Sequence, residues 1–373
     1  MLKYIRINEK CDSNTGGKTL KIILLYGGQS AEHDVSILSA YSVLSAVYYN
    51  YYQVQLVYIT KEGQWVQGPL LSEKPSSEEV LHLHWEEPGA TGRVIQPCEI
   101  KEDNAIVLPI LHGPNGEDGT IQGFLETIDM PYVGAGVMTS ASSMDKIMTK
   151  YILYAVGIPQ VPYVPVLKSQ WKENPKKIFD QCEGTLLYPM FVKPANMGSS
   201  VGITEAHDRK ELQEALNKAY LYDSRVVIEQ GIEAREIEVA ILGNEDVRTT
   251  LPGEIIKDVA FYDYDTKYVN NTIKMQIPAQ IPEEVQTKAR EYAKTAYTTL
   301  GGRGLSRCDF FLTNKNELFL NEINTMPGFT QFSMYPSLWE KTGLPYGDLI
   351  EELIQLGLNQ YSQKKRLHVD IRE

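Results

Sequence analysis

The chain is short of cysteine, of positive charge and of long apolar runs, and each shortage argues against a class of protein. Its 373 residues hold four cysteines, Cys11, Cys98, Cys182 and Cys308, with no paired spacing. A disulfide framework or a structural zinc site needs such pairs, so buried or incidental thiols are expected instead. Lysine and arginine total 36 against 48 acidic residues, a formal net charge of -12. Neither nucleic acid nor an anionic membrane is then an expected partner, and an anionic substrate must be held by local cations and metal. No apolar stretch approaches the about 18 residues of a membrane span. The opening Met1-Leu-Lys-Tyr-Ile-Arg6 lacks an apolar signal core, which points to a reducing cytoplasm. Internal repeats and low-complexity tracts are missing too.

What is present reads as a multidomain enzyme. With 43% hydrophobic and 23% charged residues the composition is that of an ordinary globular protein, and the length predicts two or three domains. Residues 1–18 are polar and turn-rich, and read as a flexible extension. Leu20 to Tyr26 is a short apolar strand running into Gly27-Gly28. Val35 to Val47 has helical spacing, and Val54 to Ile59 and Ala105 to Leu111 are strand-like. Strands alternating with helices imply a parallel sheet whose binding crevice lies at the strand C-termini. Two loops qualify, Gly27 to His33 and His112 to Gly119. A new helix from Ser140 through Val156 marks a boundary, followed by a polar surface segment from Gln170 to Lys177. Strands at Tyr188 to Lys193 and Val226 to Glu229, with a helix over Arg209 to Tyr220, make a compact α+β unit. A strand-rich region follows from Ile237, and an amphipathic helix over Leu349 to Leu358 closes the chain. The division expected is 1–18, 19–138, 139–236 and 237–373.

The densest chemistry lies between Arg307 and Asn324. Phe310 to Leu312 and Leu318 to Leu320 are β-prone, and Thr313-Asn-Lys-Asn316 has the composition of a hairpin loop. A four-residue loop pairs Leu312 with Glu317 and Asp309 with Leu320, and Arg307, Asp309, Glu322 and Asn324 then share one face. A three-residue loop would scatter them. Hard oxygen ligands short of a full cage suit Mg2+ that also holds phosphate oxygens. A solvated polar face beside a turn is the plainer alternative.

Lys193-Pro-Ala-Asn-Met-Gly-Ser199-Ser200-Val-Gly202 follows a strand and offers backbone N–H groups and a lysine to phosphate. It is not the Walker pattern, whose lysine follows the glycines. Lys146 is a second candidate cation. Glu229 and Glu236, seven residues apart around a strand end, suit an adenine amino group and ribose hydroxyls. His82 and His84 alternate with leucines in a strand-like pattern, without a third ligand for a metal.

Lys146, Lys193 with its Gly-Ser-Ser-Val-Gly loop, Glu229, Glu236, and Asp309 with Asn321-Glu322-x-Asn324 together look like the ATP-grasp arrangement. Gly27-Gly28-x-Ser30-x-Glu32-His33-x-Val-Ser36, His112-Gly-x-x-Gly-Glu-Asp-Gly119, Phe261-Tyr-Asp-Tyr-Asp-Thr-Lys267-Tyr268 and Asn324-Thr-x-Pro-Gly328 narrow it. In order and spacing, from about residue 20 to the end, these resemble the D-alanine-D-alanine ligase family. Ala31 and Met197 depart from residues common in that family. The resemblance implies an N-terminal parallel-sheet (preATP-grasp) α/β domain followed by a two-part α+β ATP-grasp fold.

It also implies roles. Lys146 and Lys193, with Ser200, would hold ATP phosphates, Glu229 and Glu236 the adenosine, and Asp309, Glu322 and Asn324 two Mg2+ or Mn2+ ions. Glu32 would pair with the ammonium of the first D-alanine, oriented by His112 and by a link from Ser199 to Tyr268. Arg307 and the backbone N–H of Gly328 would form an oxyanion site, and Ser333 would bind the second carboxylate. Phe261 to Asn271 would be a lid, with Phe261 at the nucleotide and Lys267 reaching the γ-phosphate. Tyr268 favours an amine nucleophile over a hydroxy acid. A cytoplasmic homodimer is implied. D-alanine-D-serine or D-alanine-D-lactate ligation, or a silent nucleotide-binding module, are the competing readings.

Overall fold

The computed structural model describes residues 19–86, 88–256 and 274–367. Three sheets follow one another along the chain. The first holds β1 (Leu20–Gly27), β2 (Tyr52–Ile59), β3 (Trp65–Leu71), β4 (Arg93–Ile95) and β5 (Ala105–Ile110), in the order β4-β3-β2-β1-β5. The central strand β1 is parallel to both β2 and β5. Such strands are buried on both faces and read as unbroken apolar runs. Along β1, Ile22, Leu24 and Tyr26 enter one core while Ile23 and Leu25 enter another, as period-2 alternation requires. The sheet is mixed rather than purely parallel, because β3 and β4 join antiparallel. His82 and His84 follow a single 3-10 turn, Glu78–Leu81, and are not in a strand. Leu81 and Leu83 are buried and both histidines exposed, so the alternation reports burial without a ladder.

The second sheet, β6 (Tyr163–Leu167), β7 (Met190–Pro194), β8 (Thr204–Ala206) and β9 (Arg225–Gln230), is antiparallel in the order β6-β9-β7-β8. Helices Pro175–Thr185 and Arg209–Ala219 cover one face through Ile178, Phe179, Leu212 and Leu216. Gln170 to Lys177 is a surface segment as expected, exposed except for buried Trp171, and it spans the end of helix Lys168–Glu173 and the start of helix Pro175–Thr185 with Asn174 between them. Met190, Val192, Val226 and Ile228 face those helices. Lys193 and Glu229 occupy the alternate positions and look to the other side.

The third sheet runs β13-β12-β10-β14-β15, with β11 on β10. Its strands are β10 (Arg235–Leu242), β11 (Arg248–Thr249), β12 (Gly253–Ile256), β13 (Lys274–Gln276), β14 (Leu305–Leu312) and β15 (Leu318–Asn324). Helix Glu283–Thr299 covers one face, packing Val285, Ala289, Ala293 and Ala296 on Ile237, Val239, Cys308 and Phe310. The opposite face carries Glu236, Glu238, Arg307 and Asp309. The last helix, Tyr346–Lys365, packs back on the first sheet: Leu349, Ile350, Leu353 and Ile354 share one core with Ile22, Leu24 and Ile106.

The hairpin differs from its expected register in two ways that cancel. Its loop is one residue longer, so Leu312 pairs with Leu318 and not Glu317. That alone would turn Glu322 and Asn324 away from Asp309. A bulge then intervenes between Asp309 and Phe310, and Asp309 pairs with Glu322 and Arg307 with Asn324. A bulge sets two residues against one. Here the extra residue is Asn321, and the second offset restores the shared face.

Candidate active site

The hairpin supplies the acidic wall. Arg307 Nε donates to Asp309 Oδ1 and Nη2 to Oδ2, both at 2.7 Å. Asn324 Nδ2 donates to Asp309 Oδ2 at 2.9 Å and to Glu322 Oε1 at 3.5 Å. Glu238, opposite Asp309 on β10, places Oε2 3.0 Å from Arg307 Nε. Burial works against the arginine charge, but Asp309 and Glu238 outweigh it and hold its pKa well above the ordinary value. The two carboxylates and the amide are hard oxygen donors of the kind Mg2+ takes. Among the described residues no group of three or more His, Cys, Asp or Glu side chains is placed to hold a metal ion by itself. Arg307 engages both oxygens of Asp309, and the third donor is an amide.

Across from this wall stands the open face of the second sheet. Lys193 Nζ lies 2.6 Å from Glu229 Oε2, 3.3 Å from Asn321 Oδ1 and 5.9 Å from the Phe311 ring centre. The bulge residue thus ties the two sheets together. Lys150, which the sequence reading passed over, is 1% exposed and sits 2.8 Å from Glu229 Oε1. Burial pushes the Glu229 carboxyl up, but Lys150 and Lys193 overcome that and bring it to about 2. The helical spacing of Lys146 and Lys150, four residues apart after Asp145, was the signal for it. Lys146 Nζ donates to the Met197 carbonyl at 2.5 Å, and burial pushes its pKa down, as does nearby Lys193. Asp145 caps helix Lys146–Ala155 through the N–H groups of Ile147 and Met148 and pairs with Arg225.

The 193–202 loop turns on two residues in the left-handed region, Ser199 at φ 48° and Ser200 at φ 61°. Non-glycine residues there are strained and are held by their surroundings. Ser199 Oγ donates to Glu32 Oε1. Glu32 is 8% exposed, and two glycines make room for it. A Cβ on Gly113 would lie 2.8 Å from its Oε2, and one on Gly198 2.9 Å. Ser30 joins the two N-terminal loops, donating to the His112 carbonyl at 2.8 Å and accepting from Glu32 N at 3.0 Å.

The His112 carbonyl reaches the Glu32 loop through Ser30, and the Glu32 charge also acts on the His112 ring. Its ring nitrogens bond Ser39 Oγ at 3.2 Å and the Met326 carbonyl at 3.1 Å, and burial pushes its pKa down, leaving a neutral ring. Glu117, five residues on and also unassigned from sequence, accepts from Gly113 N at 2.7 Å. Burial, reinforced by Glu32, pushes it up to about 8. Gly328 and Ser333 lie together, since a Cβ on Gly328 would meet Ser333 Oγ at 3.2 Å. Ser333 Oγ also accepts from Thr330 N at 3.1 Å. Glu236 pairs in register with Phe311, on the acidic face. Phe261, Lys267 and Tyr268 lie outside the described residues.

Two antiparallel sheets facing each other across lysines and acids, beside an N-terminal sheet that delivers a carboxylate, define an ATP-grasp enzyme. Residues 21–135 match the family model described as D-ala D-ala ligase N-terminus, and 152–355 that of D-ala D-ala ligase C-terminus. The chain is 77% identical over 351 residues to a D-alanine--D-alanine ligase of Enterococcus hirae, covering 93% of this chain and 98% of that one. It is 73% identical to that of Enterococcus faecalis, covering 92% and 100%. Among solved structures, the VanG D-Ala:D-Ser ligase from Enterococcus faecalis is similar with a TM-score of 0.79 at 32% identity, covering 91% and 100%. The D-alanine-D-alanine ligase from Coxiella burnetii reaches 0.76 at 30% identity, covering 94% and 97%. This chain belongs to the D-alanine-D-alanine ligase family.

Proposed function

We propose that the protein joins two D-alanines into D-alanyl-D-alanine, a peptidoglycan precursor, with conversion of ATP to ADP and phosphate. The observation that carries the reading is the Ser199 to Glu32 hydrogen bond, which fastens the phosphate loop of the second sheet to the acid of the first. An amino acid whose ammonium pairs with Glu32 then has its carboxylate beside that loop. Its carboxylate oxygen attacks the γ-phosphorus, ADP leaves, and an acyl phosphate forms. The amine of the second D-alanine attacks the acyl carbon, the bond to the phosphate oxygen breaks, and the amine gives up a proton as phosphate departs. Both steps build charge on oxygen, so positioning and electrostatics carry the catalysis.

In this reading Lys146, Lys193 and Ser200 take the phosphates and Glu229 and Glu236 the adenosine. Asp309, Glu322 and Asn324 hold two Mg2+ or Mn2+ ions, which neutralise β- and γ-phosphate charge when bound. Arg307 and the Gly328 N–H take the oxyanion, and Ser333 the second carboxylate. His112 supports the Glu32 loop through its carbonyl. Phe261, Lys267 and Tyr268 serve as the lid that keeps water from the acyl phosphate. The protein works as a homodimer in the cytoplasm. Incubation with ATP, Mg2+ and D-alanine alone tests the reading: dipeptide and phosphate appear in equal amounts. Phosphate release only when D-lactate or D-serine is added overturns it.

A further inference from the structure

The proposed reaction gives Glu238 no part. It lies opposite Asp309 on the face that carries Arg307, with its side chain 4% exposed. A carboxylate buried so deeply needs a cation, and Arg307 Nε is 3.0 Å away. Yet the Nε and Nη2 hydrogen bonds of that guanidinium go to the two oxygens of Asp309, the group that must face a divalent cation in the proposed reaction. The Arg307 charge therefore sits where the metal charge belongs. Two cations cannot share those oxygens in a site of low dielectric without strong repulsion, and Arg307 cannot shed its charge. It needs a second anionic seat within reach, on the same face.

We propose that Glu238 is a positioning residue that receives the Arg307 guanidinium when Asp309 turns to a divalent cation. The inference rests on the reading of Asp309 as a metal ligand. Arg307 already lies within ion-pair distance of both carboxylates, so when it gives up its hydrogen bonds to Asp309 it keeps Glu238, and its charge stays balanced while Asp309 is released. In the free enzyme the arginine shields the acidic wall from self-repulsion. In the loaded enzyme Glu238 fixes its plane, which orients its remaining N–H groups for the oxyanion role.

Crystal structures of the enzyme with and without Mn2+ and ADP test this directly. Arg307 is expected on Asp309 without the ion, and hydrogen-bonded to Glu238 with Asp309 on Mn2+ in its presence. Arg307 keeping both bonds to Asp309 beside a bound Mn2+ overturns the proposal. Mn2+ bound with ADP but away from Asp309 sinks the ligand reading, and the proposal with it. In solution, with free Mn2+ followed by electron paramagnetic resonance in the presence of ADP, Glu238→Gln raises the Mn2+ dissociation constant about tenfold. Adding Arg307→Met to that variant restores it, because no arginine then competes. An unchanged dissociation constant in Glu238→Gln, or no recovery in the double variant, counts against the exchange.

Discussion

Single residues set the site by how much room and charge they leave around Glu32. Gly198 has no positive φ to defend, so its lack of a side chain is a matter of space, with a Cβ falling 2.9 Å from Glu32 Oε2. Gly198→Ala is expected to lower the rate of dipeptide formation by roughly a hundredfold through displacement of the acid, with the melting temperature within a few degrees of wild type. A rate within twofold of wild type refutes the contact. Glu117 makes a separate prediction through pH. Its folded pKa of about 8 lies above its ordinary value of 4.5, so between those values the folded state holds a proton that the unfolded state has lost. Stability from this group is complete below the lower value and is lost as pH rises through the higher one. Thermal melts of wild type from pH 5 to pH 8.5 should fall, and Glu117→Gln should flatten that fall. Parallel curves for the two proteins would mean that Glu117 is an ordinary carboxylate. The motif around His112 marked this loop in the sequence, but not Glu117 within it, because its raised pKa comes from burial, reinforced by Glu32, and both depend on residues distant in the chain.

Elements place these residues, and the hairpin shows how finely. Alternation along β14 was legible from Arg307-Cys-Asp309, since buried Cys308 and Phe310 face the helix Glu283–Thr299 while the charged positions face away. The register of β15 was not. Turn composition names the loop without counting it, and nothing local in Leu320-Asn321-Glu322 announces a bulge. Deleting Asn321 removes the second offset and turns Glu322 and Asn324 toward the core, with Ile323 toward the site. That variant is expected to lose Mn2+ binding in the presence of ADP and to unfold at lower urea. Asn321→Ala keeps the offset and should keep Mn2+ binding. If the deletion binds Mn2+ as well as the substitution does, the bulge does not set the register.

At the scale of the molecule the N-terminal sheet depends on the C-terminal end of the chain. Leu353, 1% exposed, packs from the helix Tyr346–Lys365 into the core of β1 and β5. Leu353→Ala should cost about 2–5 kcal/mol, read by urea denaturation, with the first sheet and the hairpin losing structure in one transition. Two separated transitions in wild type would show that the shared core does not couple them. The same coupling bears on the site, because Glu32 and the acidic hairpin meet the 193–202 loop only while these bodies stay together.

By itself the sequence determined the family, the apolar strands, the residue types of the site and the alternation that sets charged positions apart from core, because each depends on spacing within one short stretch. Tertiary structure alone decided that Lys150 joins Glu229, that the His112 carbonyl takes the Ser30 hydroxyl, that a bulge corrects the hairpin and that Glu238 stands beside Arg307. Those are contacts between stretches far apart in the chain, and their geometry exists only once separate sheets have packed.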